Sequence, residues 1–200
     1  MKTNNLPIGI FDSGVGGLTV AKEISRLLPN ESFIYLGDTA RIPYGTRSKE
    51  TIQKFALELA NFLLKRKVKC LVIACNTISA NALEEIKKIS PVPVFDVISP
   101  VLKKINGKTT VIATKATISS GKYPCKGKAC SLFVPLVEEG LADSEIAFLA
   151  AKHYLRDLDL DTLILGCTHF PIMRKTIEKT VGNKVKIIDP GEELALELKD

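Results

Sequence analysis

Short apolar runs rich in Val and Ile alternate along the chain with stretches whose apolar residues recur every three or four positions. The first pattern is typical of strands buried on both faces, and the second is typical of the helices that connect them. Their alternation predicts an α/β fold built on parallel sheet. The predicted strands are Ile8–Phe11, Phe33–Leu36, Leu71–Ala74, Val92–Phe95, Val111–Ala113, Thr162–Leu165 and Val185–Ile188.

Several helices have recognisable ends. Ser48 is a good N-cap with Glu50 in the first turn, and the apolar residues that follow keep helical spacing. Pro171 is a favoured first helical residue, and Gly182 is a favoured terminator. The predicted helices are the stretch after Ser48, the stretch from about Ser144 to Leu155 with Asp143 or Ser144 as its cap, the stretch from Pro171 to Gly182, and Glu192–Lys199.

The two halves of the chain carry a faint internal repeat. Residues 71–77 (LVIACNT) align with residues 163–169 (LILGCTH), 92 positions later, and residues 8–13 have a looser counterpart in 110–115. A chance likeness of two buried strands is the alternative. The repeat predicts two similar Rossmann-like α/β domains related by a pseudo-twofold axis, with a cleft between them. We place them at residues 1–98 and 99–190, with a C-terminal helix, 191–200, that packs back on the first domain.

Composition and charge exclude several classes of protein. The 200 residues are 46% hydrophobic and 25% charged, which is ordinary for a globular protein and argues against disorder. The net charge of +6 is scattered, and its densest run, 65–67, is predicted to be a solvated helix end, so nucleic-acid binding is not favoured. Residues 1–7 lack the apolar core of a signal peptide, and the longest uncharged run, 70–83, is too short to cross a membrane. A cytoplasmic location is expected.

Polar residues follow most of the predicted strands, where open α/β sheets bind their ligands. These candidates are Asp12, Ser13, Asp38, Cys75, Asn76, Thr77, Thr114, Thr117, Cys167, Thr168 and His169. The loop 14–17 (GVGG) resembles a dinucleotide fingerprint, but Thr19 stands where that motif needs glycine. A tight turn that brings backbone N–H groups near a small anion is favoured instead. For Asp38 a structural turn or cap is slightly preferred.

Cys75 and Cys167 are the strongest candidates for chemistry. A lone cysteine at a strand end is more often inert core, but these two occupy matching positions of the repeat. Each precedes a predicted helix, whose dipole would favour the thiolate. A metal site formed by both with His169 would lack a fourth ligand and any C-x-x-C spacing, so no metal is predicted. Cys125 and Cys130 are expected to be a disulfide or free thiols.

Two opposed thiols suit one kind of reaction better than the alternatives. A redox pair would usually lie close in sequence, and a thiol hydrolase needs one cysteine with a histidine base. Removal of a proton from one face of a carbon and its return to the other face requires two acid/base groups across a cleft. The pattern therefore favours racemisation or epimerisation.

Five motifs identify a family. They are 12–18 (DSGVGGL), 37–45 (GDTARIPYG), 74–77 (ACNT), 132–140 (LFVPLVEEG) and 166–171 (GCTHFP). They occur in order over nearly the whole chain, and through them the sequence resembles the glutamate racemases of the aspartate/glutamate racemase superfamily.

The resemblance implies an isomerase that interconverts L- and D-glutamate with two bases and no cofactor, supplying D-glutamate for peptidoglycan, cell-wall biogenesis and cell shape. By their positions in the motifs, Cys75 and Cys167 correspond to the two catalytic thiols of the family. Asp12, Glu138 and His169 correspond to the side chains that assist them. The implied substrate-binding residues are Asp12, Ser13, Tyr44, Gly45, Asn76, Thr77, Thr168 and His169, with Thr114 and Thr117 lining the pocket. His153 lies in a predicted helix and is not expected to be catalytic. Members of the family often form homodimers, so the resemblance allows one here.

The chain also departs from the family pattern. Relatives usually fit a helix and a further strand between 119–121 and 129–130, where this chain has only 122–128, and Ser131 replaces a proline. Relatives also continue beyond residue 200. Two alternatives therefore stay open beside glutamate racemisation. One is a racemase of aspartate or another acidic amino acid, and the other is a catalytically weakened homologue that binds a protein partner such as DNA gyrase.

Overall fold

Two four-stranded parallel sheets form the framework of the computed structural model, which describes residues 5–199. The first contains β1 (Ile8–Asp12), β2 (Phe33–Gly37), β3 (Cys70–Ile73) and β4 (Val94–Asp96) in the order β2-β1-β3-β4. The second contains β5 (Thr109–Ala113), β6 (Lys126–Ala129), β7 (Thr162–Gly166) and β8 (Lys186–Ile188) in the order β6-β5-β7-β8. The two orders are equivalent strand for strand, so the predicted pair of similar α/β halves is confirmed.

Helices connect the strands and cover the sheets. They are α1 (Leu18–Leu27), α2 (Lys49–Leu64), α3 (Asn76–Ile89), α4 (Ser99–Leu102), α5 (Lys115–Ser119), α6 (Phe133–Glu138), α7 (Glu145–Leu155), α8 (Arg174–Val181) and α9 (Pro190–Lys199). No helix within residues 5–199 is both long enough and apolar enough to cross a membrane.

The predicted helix starts at Ser48 and near Ser144 are confirmed. The Ser48 hydroxyl accepts a hydrogen bond from the Thr51 N–H (3.3 Å), and that of Ser144 accepts one from the Ala147 N–H (3.2 Å). The helix predicted from Pro171 is wrong in its first turn. Residues Phe170–Met173 form a 3-10 turn, and α8 begins only at Arg174.

The structure contains one strand that the sequence did not predict. Strand β6 lies at the edge of the second sheet and pairs only with β5. Its sequence, KGKA, has no apolar alternation, and its two lysines suit an exposed edge. The shortened segment therefore still supplies a strand, and the second sheet has the same number of strands as the first.

One hydrophobic cluster joins the two halves. It contains Ile10 and Val20 of the first half together with Val111 and Ile164 of the second, all almost completely buried. Helix α9 adds Leu194 to the same cluster and packs against α1. The residue boundaries proposed for the two domains remain predictions.

Candidate active site

A cavity of about 280 Å³ lies between the carboxyl ends of the strands of both sheets. Its wall includes residues within two positions of the carboxyl ends of β1, β3, β5, β6 and β7. The lining residues are Ser13, Gly14, Ile42, Pro43, Tyr44, Gly45, Thr46, Cys75, Asn76, Thr77, Thr114, Lys115, Cys130, Ser131, Val134, Pro135, Glu138, Cys167, Thr168 and His169.

Most of the candidate residues predicted from the sequence lie on this wall. Asp12, Asp38 and Thr117 are the exceptions, because all three are buried and none lines the cavity. His153 is exposed on α7 and lies outside the site. The wall also contains residues that sequence reasoning missed, of which Cys130 is the most informative. It directly follows β6, so recognition of that strand would have identified it by the strand-end rule that found the others.

The Cys75 thiol approaches the cavity from the first half. Cys75 occupies the N-cap position of α3, and its Sγ donates a hydrogen bond to Ser13 Oγ at 3.3 Å. Burial raises the pKa of Cys75 to about 12, and the nearby Asp12 carboxyl adds to the increase. The helix dipole was expected to favour the thiolate, but desolvation outweighs it here.

The Cys167 thiol approaches from the second half and is buried to a similar extent. Its Sγ lies 3.8 Å from His169 Nδ1, and His169 Nε2 lies 3.2 Å from Glu138 Oε1. A thiol, an imidazole and a carboxylate thus form a chain through which a proton can be exchanged. Burial raises the pKa of Cys167 above its ordinary value, so this thiol is also protonated at neutral pH.

The Asp12 carboxyl is completely buried behind the two thiols. Its Oδ2 accepts a hydrogen bond from the Gly14 N–H at 2.9 Å, whereas Oδ1 has no partner within residues 5–199. Burial raises the pKa of Asp12, which favours the protonated carboxyl. The Gly14 N–H of the glycine turn thus donates to a side chain of the protein itself.

The glycine turn also holds the two halves together at the site. A Cβ at Gly16 would lie 2.4 Å from Thr168 Oγ1 and 2.6 Å from His169 Nδ1, so only glycine fits without displacing them. The Thr19 hydroxyl donates to the backbone oxygen of Thr168 at 3.0 Å. Close packing of this turn thus fixes the backbone that carries Cys167.

Three hydroxyls form a second bridge between the halves. Thr77 Oγ1 lies 3.0 Å from Thr114 Oγ1 and 3.2 Å from Thr117 Oγ1, and the last two are 3.0 Å apart. Thr77 belongs to α3, and Thr114 is the N-cap of α5. Thr117 therefore positions the two lining threonines rather than lining the cavity itself.

Asp38 has the structural role that was preferred for it. Its Oδ2 accepts hydrogen bonds from Arg41 Nε (2.6 Å) and from the Tyr44 hydroxyl. Burial and this carboxylate together raise the pKa of Tyr44, so its phenol stays protonated. Asp38 thereby fixes Tyr44 and, through it, the loop that ends at Gly45.

The remaining cysteines and the acidic side chains suggest no second kind of site. Cys125 and Cys130 are free thiols, so the disulfide alternative is wrong. Within residues 5–199, His, Cys, Asp and Glu side chains form no group of three that could hold a metal ion.

Comparisons with known proteins identify relatives of this chain. Residues 8–198 match the family model described as Asp/Glu/Hydantoin racemase. The chain is 49% identical to a glutamate racemase of Geobacter metallireducens, over 94% of this chain and 77% of the relative. It is also 49% identical to a glutamate racemase of Thermus thermophilus, over 99% of this chain and 80% of the relative.

A solved structure shares the fold of this chain. The glutamate racemase of Francisella tularensis, determined in complex with D-glutamate, is 46% identical and superposes with a TM-score of 0.92. The match covers 98% of this chain and 80% of that protein. The chain therefore belongs to the Asp/Glu/hydantoin racemase family and, within it, to the glutamate racemases.

Proposed function

We propose that this protein interconverts L- and D-glutamate without a cofactor, using Cys75 and Cys167 as its two acid/base groups. The observation that carries the proposal is that the two thiols reach one cavity from opposite halves of the molecule. The similar glutamate racemases, one of them bound to D-glutamate, support glutamate as the substrate.

The reaction requires one thiolate and one thiol at the same time. The thiolate removes the α-proton from one face of the substrate, and the electron pair remains on the α-carbon. The opposite thiol then donates its proton to the other face, which inverts the configuration and leaves that sulfur as the thiolate. The same two steps in reverse convert the product back, so neither direction needs an added co-reactant.

Formation of the first thiolate is the energetic difficulty, because burial raises the pKa of both thiols. The substrate carries an α-ammonium group into a cavity shielded from water, and a nearby positive charge favours the thiolate. On the side of Cys167, His169 and Glu138 provide a route by which the proton can leave. The substrate thus helps to ionise the group that attacks it.

The test is proton NMR of the purified protein with L-glutamate, and separately with D-glutamate, in heavy water. Loss of the α-proton signal accompanied by inversion, from either enantiomer, is expected. Cys75→Ser and Cys167→Ser should each reduce inversion by about 10³-fold, within the range of general acid–base catalysis. Cys125→Ser is the matched control and should retain activity, because Cys125 is half-buried and does not line the cavity.

Other outcomes would identify the alternatives. Exchange without inversion would mean that one thiol works while its partner does not, which contradicts the two-base proposal. Inversion of aspartate in preference to glutamate would make the protein a racemase of another acidic amino acid. No exchange with either substrate, from protein shown to be folded, would contradict racemisation and favour a binding role.

The cellular role follows from the product. D-glutamate made by this reaction would supply peptidoglycan synthesis, and loss of Cys75 or Cys167 should then make cells depend on added D-glutamate.

The homodimer that the family resemblance allows also remains a prediction.

A further inference from the structure

The phenol of Tyr123 contacts a residue of the candidate site from the other half of the molecule. Tyr123 lies between α5 and β6, in the shortened segment that belongs to none of the five motifs. Its hydroxyl is 2.7 Å from Oδ1 of Asn76, the first residue of α3, and both residues are buried. The bond therefore crosses from the second half of the chain to the residue next to Cys75.

The phenol can act only as a donor toward Asn76. Burial raises the pKa of Tyr123 well above its ordinary value, so the hydroxyl keeps its proton. The carboxyl of Asp96 adds to this increase, but its oxygens already accept from the backbone N–H groups of Ile98 and Ser99 and from the Ser99 hydroxyl. An amide flip at Asn76 would leave the buried phenol proton without an acceptor, which is costly.

The orientation of Asn76 determines what it offers to the cavity. With Oδ1 held by Tyr123, the amide nitrogen makes no hydrogen bond within residues 5–199, and it is not among the fully buried polar atoms that lack a partner there, so it is open to the cavity side. Asn76 lines the cavity, so the two N–H groups of this nitrogen are available to donate to a molecule bound there.

We propose that Tyr123 is a positioning residue that fixes the Asn76 amide so that its N–H groups bind a carboxylate of an amino-acid substrate. This inference rests on the proposed racemase function. The ring of Tyr123 is anchored in the hydrophobic cluster shared by the two halves, so the phenol holds Asn76 in a fixed orientation relative to both. The shortened segment thereby orients a residue of the cavity wall, although Tyr123 itself does not line the cavity.

The test is a double-mutant cycle on substrate binding. Tyr123→Phe keeps the ring in the core and removes only the hydroxyl, so KM should rise about tenfold while kcat changes by less than about twofold. Asn76→Ala should raise KM at least as much, and adding Tyr123→Phe to it should have no further effect. Tyr154→Phe is the matched control, because within residues 5–199 its hydroxyl accepts only from the Leu132 N–H, at 3.4 Å, and Tyr154 does not line the cavity.

A measurement that needs no activity separates this inference from the proposed function. In ¹⁵N-labelled protein, the side-chain amide signals of Asn76, identified by their loss in Asn76→Ala, should shift in Tyr123→Phe and stay in place in Tyr154→Phe. Unshifted amide signals would overturn the inference. So would effects of the two substitutions on KM that multiply, because that would mean the phenol acts independently of Asn76. A wild-type protein without racemase activity would contradict the proposed function alone, since the amide signals would still report on the contact.

Discussion

At the scale of single residues, the two thiols share a high pKa but differ in their surroundings. Cys75 contacts a hydroxyl and lies near the buried Asp12 carboxyl, whereas Cys167 lies beside His169 and Glu138. In both environments, desolvation by burial is the largest cause of the raised thiol pKa. The unliganded protein is therefore expected to hold two thiols, with the thiolate formed only when substrate is bound.

Alkylation measures this ionisation directly. The rate at which iodoacetamide labels Cys75 should rise about tenfold per pH unit from pH 7 to 10, because only the thiolate reacts and a pKa of about 12 lies above this range. A reference thiol with an ordinary pKa of about 8.5 should level off near pH 9. Mass spectrometry of the labelled peptide gives the rate, with circular dichroism to confirm folding at each pH. A rate at Cys75 that levels off with the reference thiol would contradict the raised pKa.

At the scale of elements, the start of α9 combines a cap with a buried charge. Asp189 precedes Pro190, and its Oδ1 accepts a hydrogen bond from the Gly191 N–H at 2.8 Å. Burial raises the pKa of Asp189 to about 6, from an ordinary value of 3.8. The folded state thus binds this proton more tightly than the unfolded state does. Ionised Asp189 therefore destabilises the fold above pH 6, and this destabilisation disappears below about pH 4.

Asp189→Asn should separate the cap from the charge. The asparagine oxygen can still accept from Gly191, but no charge is buried, so the free energy of unfolding at pH 8 should increase by about 2–3 kcal/mol. At pH 4 the variant and the wild type should differ little. Urea unfolding at the two pH values checks this, with Asp143→Asn at an exposed position before α7 as the control. A gain at pH 4 equal to that at pH 8 would show that the charge is not responsible.

Elements with strong local signals could be predicted from the sequence, and those fixed by tertiary contacts could not. The buried strands and the capped starts of α2 and α7 depend on apolar runs and on Ser48 and Ser144. Strand β6 forms only because β5 offers an unpaired edge, and its lysines give no periodic signal. The thiols were found because each follows a recognisable strand, whereas Tyr123 has no such marker and depends on a contact 47 positions away.

At the scale of the whole molecule, the site exists only while the two halves keep their relative position. Cys75 belongs to the first half and Cys167 to the second. The halves are joined by the shared hydrophobic cluster, by the hydroxyls of Thr77, Thr114 and Thr117, and by the hydrogen bond from Thr19 to the Thr168 backbone. Because the shared hydrophobic cluster is a core common to both halves, the two sheets should unfold together in one transition.

Leu194 is the residue with which to test this cooperativity. It is fully buried in the shared cluster, so Leu194→Ala should lower the free energy of unfolding by about 2–5 kcal/mol. On the same helix, Leu196 is 48% exposed, and Leu196→Ala should change it by less than about 0.5 kcal/mol. Urea unfolding followed by circular dichroism and by tyrosine fluorescence should give coincident single transitions for both variants. If Leu194→Ala instead produced two transitions, with only one shifted, the halves would be independent units, and the position of Cys167 opposite Cys75 would have to be maintained by the polar contacts at the cavity alone.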